Sequence, residues 1–405
     1  MPWTRRASSI QVRWLDMTSE PGRGAGWLED PLRLRNKDDL RNDLQRCAGC
    51  HDQCLAMTPE VFATASLRHA TSRRSLQILA VMNGSLDLSD GFIDAVYGAL
   101  GSGLQHEVCV HRGDPAGWPD ERTAIRAARR ELAVAGRAPD WAQGRLAAWS
   151  ATGDVYRVGE QEAPRVGSIV VLADAAERAL AQESIDGWRT VAAELGATGF
   201  LGSGSSGLEL FDLGFIDEAR TAARDLAARI ETLRPRFILT VAPESAAFIQ
   251  SAWPTLGATK RTRIQPIVAW VARRAARLPL RGPAPEPVAF HDPGVLARDL
   301  RDTRSGRTLL RALGLRIVEL PDHGRLAPPS GSIHGGDAGP WVQRIAEERR
   351  QAARSIGAKL LVTASPFDQR NLMGGSPPMA DLGVLLGQGI DGRPGSRRGM
   401  SSAGR

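Results

Sequence analysis

Two stretches decide the fold: residues 236–249, RFILTVAPESAAFI, and residues 359–372, KLLVTASPFDQRNL. Each opens on a short apolar run and ends it at a small residue followed by proline. An apolar run without alternation reads as a strand buried on both faces, which is the habit of parallel sheets covered by helices. Each run also follows an amphipathic helix. In the first copy, Ile216, Ala219, Ala223, Leu226 and Ile230 share one face of a segment from Phe215 to Leu233; in the second, the helix runs from Trp341 to Ile356. The same helix–strand–turn order, repeated after about 120 residues, is the mark of an internal duplication. It predicts two α/β domains of similar fold.

Working outward, Ser168-Ile-Val-Val-Leu172 reads as a strand, and Ile185, Trp188, Ala192 and Leu195 mark the helix face that follows. Val288-Ala-Phe290, the run 315–320 and the run 359–363 supply strands of the second copy. Leu278 to Pro287 holds four prolines and a glycine and reads as a linker. The first α/β domain is therefore expected over 165–277 and the second over 288–388. Upstream, 39–150 reads as helical, most clearly from Asp120 to Gly136, where Ile125, Ala128 and Leu132 share a face. Residues 1–38, with the run Pro21 to Gly26, read as an irregular arm, and 389–405 as a disordered basic tail. The expected class is α + α/β.

The 405 residues are 42% apolar and 24% charged, as in ordinary globular proteins. The net charge of +7 invites a nucleic-acid reading, but its location argues against one. Residues 1–13 carry three arginines and no acid, and residues 392–405 carry four and no acid, so the two ends hold the whole excess. A phosphate-binding groove would place that charge on the folded body. Thr4-Arg5-Arg6 lacks the apolar segment of an export signal, and no run of about 18 apolar residues could cross a bilayer. A cytoplasmic protein with no membrane span is expected.

Only four cysteines occur, three of them in Cys47-Ala-Gly-Cys50-His-Asp-Gln-Cys54, followed by Thr58-Pro59. In a reducing compartment such clustering points to a metal or redox site. The bacterial ferredoxin spacing is C-x2-C-x2-C-x3-C-P, and in two-cluster proteins the fourth cysteine of each run serves the other cluster. Here one residue is added before Cys54 and Thr58 stands at the fourth place. With Cys109 aligned as the last cysteine of a second run, Ala99, Ser102 and Gln105 take its first three places. The crossed rule then divides the positions cleanly. Cys47, Cys50, Cys54 and Cys109 form one complete ligand set for one [4Fe–4S] cluster; Thr58, Ala99, Ser102 and Gln105 replace the whole of the other. An all-cysteine zinc site, a Cys47/Cys50 thiol couple and a buried structural Cys109 remain as alternatives.

These residues give the chain a family resemblance. Over about 39–388 it resembles the iron–sulfur subunit of glycolate oxidase and the related heterodisulfide reductase catalytic subunit, a family that joins a two-cluster helical ferredoxin domain to two Cys-Cys-Gly (CCG) domains. CAGCHDQCLAMTPEVF, VYGALGSG, HEVC and IRAARRELAVAG carry the likeness in the first part. In the repeats the framework resembles the family but the ligands are lost. Gly294 stands at the cysteine of the His-Asp-Pro-Cys segment, and Ser365 and Asp368 at those of Ala-Cys-Pro-Phe-Cys. In the first repeat Ala242 and Ser245 take the corresponding places, and Ser205-Ser206-Gly207 overlies the Cys-Cys-Gly; PPSGSIHGG (328–336) takes the second one's place. The resemblance implies electron transfer with a flavoprotein dehydrogenase subunit as partner. Serine, alanine and glycine cannot hold a CCG-type cluster, so disulfide reduction is not expected.

The functional expectation is a single-cluster electron-transfer subunit of an oxidoreductase, not catalytic alone. A scaffold or redox-sensing subunit is the alternative. Among other candidates, His51 reads as an exposed loop histidine or a group tuning the cluster. His291 and Asp292 read as a turn, and His334 as part of a glycine-rich loop before a helix. The clefts emptied of cluster ligands are candidate pockets.

Overall fold

The computed structural model describes residues 37–112, 119–160, 162–202, 204–258, 262–281 and 286–391. Almost all of the expected N-terminal arm, most of the basic tail and residues 282–285 of the expected linker lie outside the described residues.

Seven helices come first: α1 (Lys37–Ala48), α2 (Pro59–Thr64), α3 (Thr71–Met82), α4 (Asp90–Tyr97), α5 (Leu104–Glu107), α6 (Glu121–Val134) and α7 (Asp140–Thr152). Helix α1 packs on α3, with Leu40 and Leu44 in the same buried cluster as Ile78, Val81 and Met82. Ser89 caps α4 by accepting the Phe92 amide at 3.3 Å, and Asp120 caps α6 by accepting the Thr123 amide at 3.1 Å. Each satisfies an amide that has no partner inside the helix. Helix α6 turns Ala124, Ile125, Ala128 and Leu132 inward, as its periodicity predicts.

The remainder is two parallel-sheet units. The first comprises β1 (Ile169–Leu172), α8 (Ala175–Leu180), α9 (Gln182–Glu194), β2 (Gly199–Leu201), α10 (Leu208–Asp212), α11 (Ile216–Leu233), β3 (Phe237–Thr240), α12 (Pro243–Ser251), α13 (Trp253–Leu256), β4 (Arg263–Pro266) and α14 (Ile267–Ala272). The second comprises β5 (Pro287–Phe290), a single π-turn at Val295–Asp299, α15 (Ser305–Ala312), β6 (Arg316–Ile317), α16 (Trp341–Ser355), β7 (Leu360–Thr363), α17 (Pro366–Leu372), β8 (Met379–Asp381) and α18 (Leu382–Asp391). The sheets have the same four-strand order, β2-β1-β3-β4 and β6-β5-β7-β8, and every pairing is parallel. The chain is thus α + α/β, as the repeated strand motif predicts.

The two units pack by exchange of equivalent elements. Helix α18 lies on α9 as α14 lies on α15, and α17 meets α8 as α12 meets the π-turn. The α9–α18 contact is so close that a Cβ on Gly187 would sit 2.2 Å from the Gly383 carbonyl oxygen, so only glycine fits. One face of β1 and β3 (Val170, Leu172, Ile238) joins the core that runs into the helical part. The other face (Val171, Leu239) joins Val288, Phe290 and Val362 of the second sheet. Burial of both sheet faces explains the unbroken apolar runs. It also brings the carboxyl ends of both sheets toward one region, where α/β proteins place their sites.

Candidate metal centre

Helix α1 ends at the first cysteine motif, so Cys47 is buried in its last turn while Cys50 and Cys54 lie half-buried in the loop beyond. Cys109 follows α5 and is half-buried as well. The four thiols share one neighbourhood. Burial raises Cys47 far above the ordinary thiol range, and the charges of Glu121, Cys54 and Cys50 raise it further. Burial pushes Cys54 up to about 11, with Glu121, Asp52 and Cys109 adding to the effect. Burial also raises Cys109, which feels Cys50. Each cysteine of the expected set therefore lies within electrostatic reach of another.

The α3 N-terminus faces this group. The Ser75 and Thr71 hydroxyls favour the thiolates of Cys47 and Cys54, yet neither makes a hydrogen bond of ordinary geometry. Buried Ser72 is also unpartnered. Buried hydroxyls without partners beside Cys47 and Cys54 fit a soft, sulfur-rich centre, whose sulfurs accept such hydrogen bonds. As they stand, no three or more His, Cys, Asp or Glu side chains among the described residues are arranged to hold a metal ion.

The positions expected to have lost a second cluster are differently filled. Thr58 and Gln105 are buried, and Thr58 Oγ1 donates to the Cys54 carbonyl at 3.1 Å. Between the segments that carry them stands Arg74, fully buried on α3. Its guanidinium donates to Glu121 Oε1 at 2.5 Å, to the His69 carbonyl at 2.8 Å and to the Ala95 carbonyl at 2.9 Å. Glu60 Oε1 lies 3.6 Å from it and accepts the Leu100 amide at 3.1 Å. Gln105 donates to Glu121 Oε2 at 3.0 Å. Burial raises the Glu60 carboxyl, and Arg74 opposes that shift. Arg129 of α6 closes the neighbouring turn, donating to the Ala99 carbonyl at 2.7 Å and to Asp212 of the first α/β unit at 2.6 Å.

The CCG-like positions lie at the carboxyl ends of the two sheets. Ser205, Ser206, Ala242 and Ser245 are all buried. Asp174 accepts the Ala175 and Ser206 amides, both at 2.8 Å, and the Ser245 hydroxyl at 3.1 Å; Glu177 accepts the Ala242 amide at 2.9 Å. Ser365 caps α17 and donates to Glu244 of the first unit at 2.8 Å. Asp368 accepts the Ser330 hydroxyl at 2.5 Å. Gly294 lies under Arg298: a Cβ there would stand 2.1 Å from Nη2, so the guanidinium occupies a side chain's place. Carboxylates, hydroxyls and an arginine thus take the space the resemblance assigns to cysteine ligands.

The remaining candidates fall as follows. His51 is exposed. His291 is buried without a hydrogen-bond partner on either ring nitrogen, 3.5 Å from Asp368. Asp292 does not brace its own turn; it accepts two bonds from Arg307, at 2.6 and 2.8 Å, and the Gly324 amide at 2.7 Å. His334 is buried, with Nε2 3.0 Å from Asp212, and burial lowers its pKa. The sequence reading missed Arg74, Glu60, Glu121 and Arg129. Their pairings Arg74–Glu60, Gln105–Glu121, Arg74–Glu121 and Arg129–Asp212 span 14 to 83 residues, so no local spacing signals them.

Over 131 residues the chain is 30% identical to a Chromohalobacter salexigens protein described as a "Probable membrane-anchored ferredoxin". The match covers 30% of this chain and 19% of that protein, so the chain spans about a fifth of its relative's length. The likeness is to a ferredoxin. No protein-family model matches the chain. Solved structures that align include a proposed Asp/Glu racemase from Yersinia pestis (12% identity, 55% of this chain and 97% of that one, TM-score 0.28). An aspartate racemase homologue from Pyrococcus horikoshii also aligns (10%, 56% and 98%, TM-score 0.25). Likeness at that level carries no functional argument. Among the described residues no helix is long and apolar enough to cross a membrane.

Proposed function

We propose that the chain is an electron-transfer subunit with one [4Fe–4S] cluster on Cys47, Cys50, Cys54 and Cys109, working beside a flavoprotein dehydrogenase in the cytoplasm. The supporting observation is the contrast between the two ligand sets. The four cysteines share one neighbourhood with unpartnered hydroxyls beside Cys47 and Cys54, whereas Gln105 is bonded into the buried Arg74–Glu121 network and the Ala99 carbonyl accepts from Arg129. The ferredoxin relative supports the same class of chemistry.

When bound, such a cluster stores and releases one electron. The protein's part is environmental. Cys47 and the α3 hydroxyls form the buried side, and Ser75 and Thr71 would donate hydrogen bonds to sulfur with a cluster bound. Arg74 balances the Glu121 charge, which otherwise opposes thiolate at Cys47. Half-buried Cys50, Cys54 and Cys109 leave an edge near solvent, where a partner's redox centre can approach.

The relay is tested by protein-film voltammetry on anaerobically purified chain. One reversible one-electron wave, absent in Cys54→Ala, supports it. A chain with no wave, or one holding only zinc, contradicts it and favours a scaffold.

A further inference from the structure

A cavity of about 730 Å³ lies where the helical part meets both α/β units. It is separate from the cysteine group, and charged groups of both signs line it. Arg122 and Arg126 of α6 and Arg298 of the π-turn do so together with Asp120, Asp212 and Asp299. Two of these cations are spoken for. Arg122 grips Asp299 through two bonds, at 2.8 and 3.0 Å. Arg298 donates to the carbonyls of Ser102, Arg325 and Ala327 at 3.0, 3.1 and 2.8 Å.

Arg126 is different. Its guanidinium lies 5.4 Å over the Phe211 ring, and among the described residues no carboxylate comes within 4.0 Å of it. Asp212, Asp120 and Asp299 act on it only from farther away, and neighbouring Arg122 and burial disfavour its charge. A half-buried cation in a cavity, without a counter-ion, is a ready carboxylate site.

Glu244 and Asp368 line the same cavity, each with one buried carboxylate oxygen that has no partner, Oε2 and Oδ2. Burial, reinforced by Asp368, raises the Glu244 carboxyl well above the ordinary carboxylate range, and a cation beside it favours the ionised form. Phe211, Phe248 and Phe367 supply apolar surface to the same cavity.

We infer that this cavity binds a small amino-carboxylic acid, with its carboxylate on Arg126 and its ammonium at Glu244 and Asp368. Groups of both signs without close partners in one cavity fit a zwitterion better than a simple anion. The site is independent of the cluster, so iron content does not bear on it.

The test is calorimetric titration of the full chain with glycine, glutamine, 4-aminobutyrate and 6-aminohexanoate. Propionate, ethylamine and inorganic phosphate serve as single-charge comparisons. At least one amino acid is expected to bind, releasing protons as the Glu244 carboxyl ionises. Arg126→Gln and Glu244→Gln should each weaken binding about 10- to 100-fold, the loss of a charged hydrogen bond, while Arg126→Lys should retain most of it. The melting temperature of each free variant shows whether it folds; Arg126, which makes no hydrogen bond or ion pair among the described residues, is expected to be replaceable with little loss. No binding by any amino acid, equal binding of propionate or phosphate, or unchanged affinity in Arg126→Gln overturns the assignment.

Discussion

Arg74 Nη1 meets Glu121 Oε1 at 2.5 Å in the interior of the helical part, with both side chains almost wholly removed from water. The pair joins the cysteine group, through Glu121 beside Cys47, to the positions that would serve a second cluster, through Gln105. It therefore does two things at once. It ties up Gln105, one of the positions read as a lost ligand, and it offsets a negative charge next to Cys47.

Breaking this pair is expected to be costly, because the carboxylate left behind stays buried without its partner. Arg74→Met should destabilise the fold by about 3–5 kcal/mol. Urea unfolding of the anaerobically purified protein measures this. A change below about 1 kcal/mol would show that the pair is not held as described.

Restoring the missing thiols should not restore a cluster. A chain with Thr58, Ala99, Ser102 and Gln105 all changed to cysteine is expected to keep the iron content of the unaltered protein, because Arg74 and its partners occupy the space. Adding Arg74→Ala is expected to raise the iron content. Iron and sulfide analysis of the two variants checks this; full uptake with Arg74 in place would refute it.

A pH dependence follows from the buried acids at the first sheet's carboxyl end. Burial, with Asp174 beside it, raises Glu209 from an ordinary 4.5 to about 8, and neither of its oxygens has a partner. A carboxyl whose folded pKa is raised favours the fold below its unfolded value, and that contribution is lost as pH rises through the folded value. Stability should therefore decline between about pH 4.5 and pH 8 on account of Glu209. Asp212 and Asp120, held below the usual range against the effect of burial, act oppositely and protect the fold only above the acid range. Glu209→Gln is expected to flatten the decline and raise the melting temperature by a few degrees at about pH 8, with little change at about pH 5. Melting curves at both pH values decide it; equal shifts at both would rule out titration of Glu209 as the cause.

The repeated strands were legible because sheets covered on both faces demand apolar runs. Phe237–Thr240 and Leu360–Thr363 announce themselves in this way. Strand β4 (Arg263–Pro266) did not: at the sheet's edge, with an exposed Arg263 and only partly buried Gln265, it lacks such a run. The short α2 and α5 were likewise unreadable, since four to six residues cannot display a helical period. The cysteines are recognisable by spacing alone, whereas Arg74 on α3 is a surface-type residue whose burial depends on Glu60 and Glu121, 14 and 47 positions away. Arg126 looks like any charged position on an amphipathic helix, and only the packing of three units around it makes a cavity.

The central claim is that one cysteine set binds one cluster, and metal analysis addresses it most directly. The protein should be purified anaerobically, its iron and acid-labile sulfide counted per chain, and its electron paramagnetic resonance spectrum recorded after dithionite reduction. About four irons and four sulfides, with a single [4Fe–4S] signal lost in Cys109→Ser, is the predicted result. No iron, one zinc ion, or a signal that survives loss of Cys109 would contradict it.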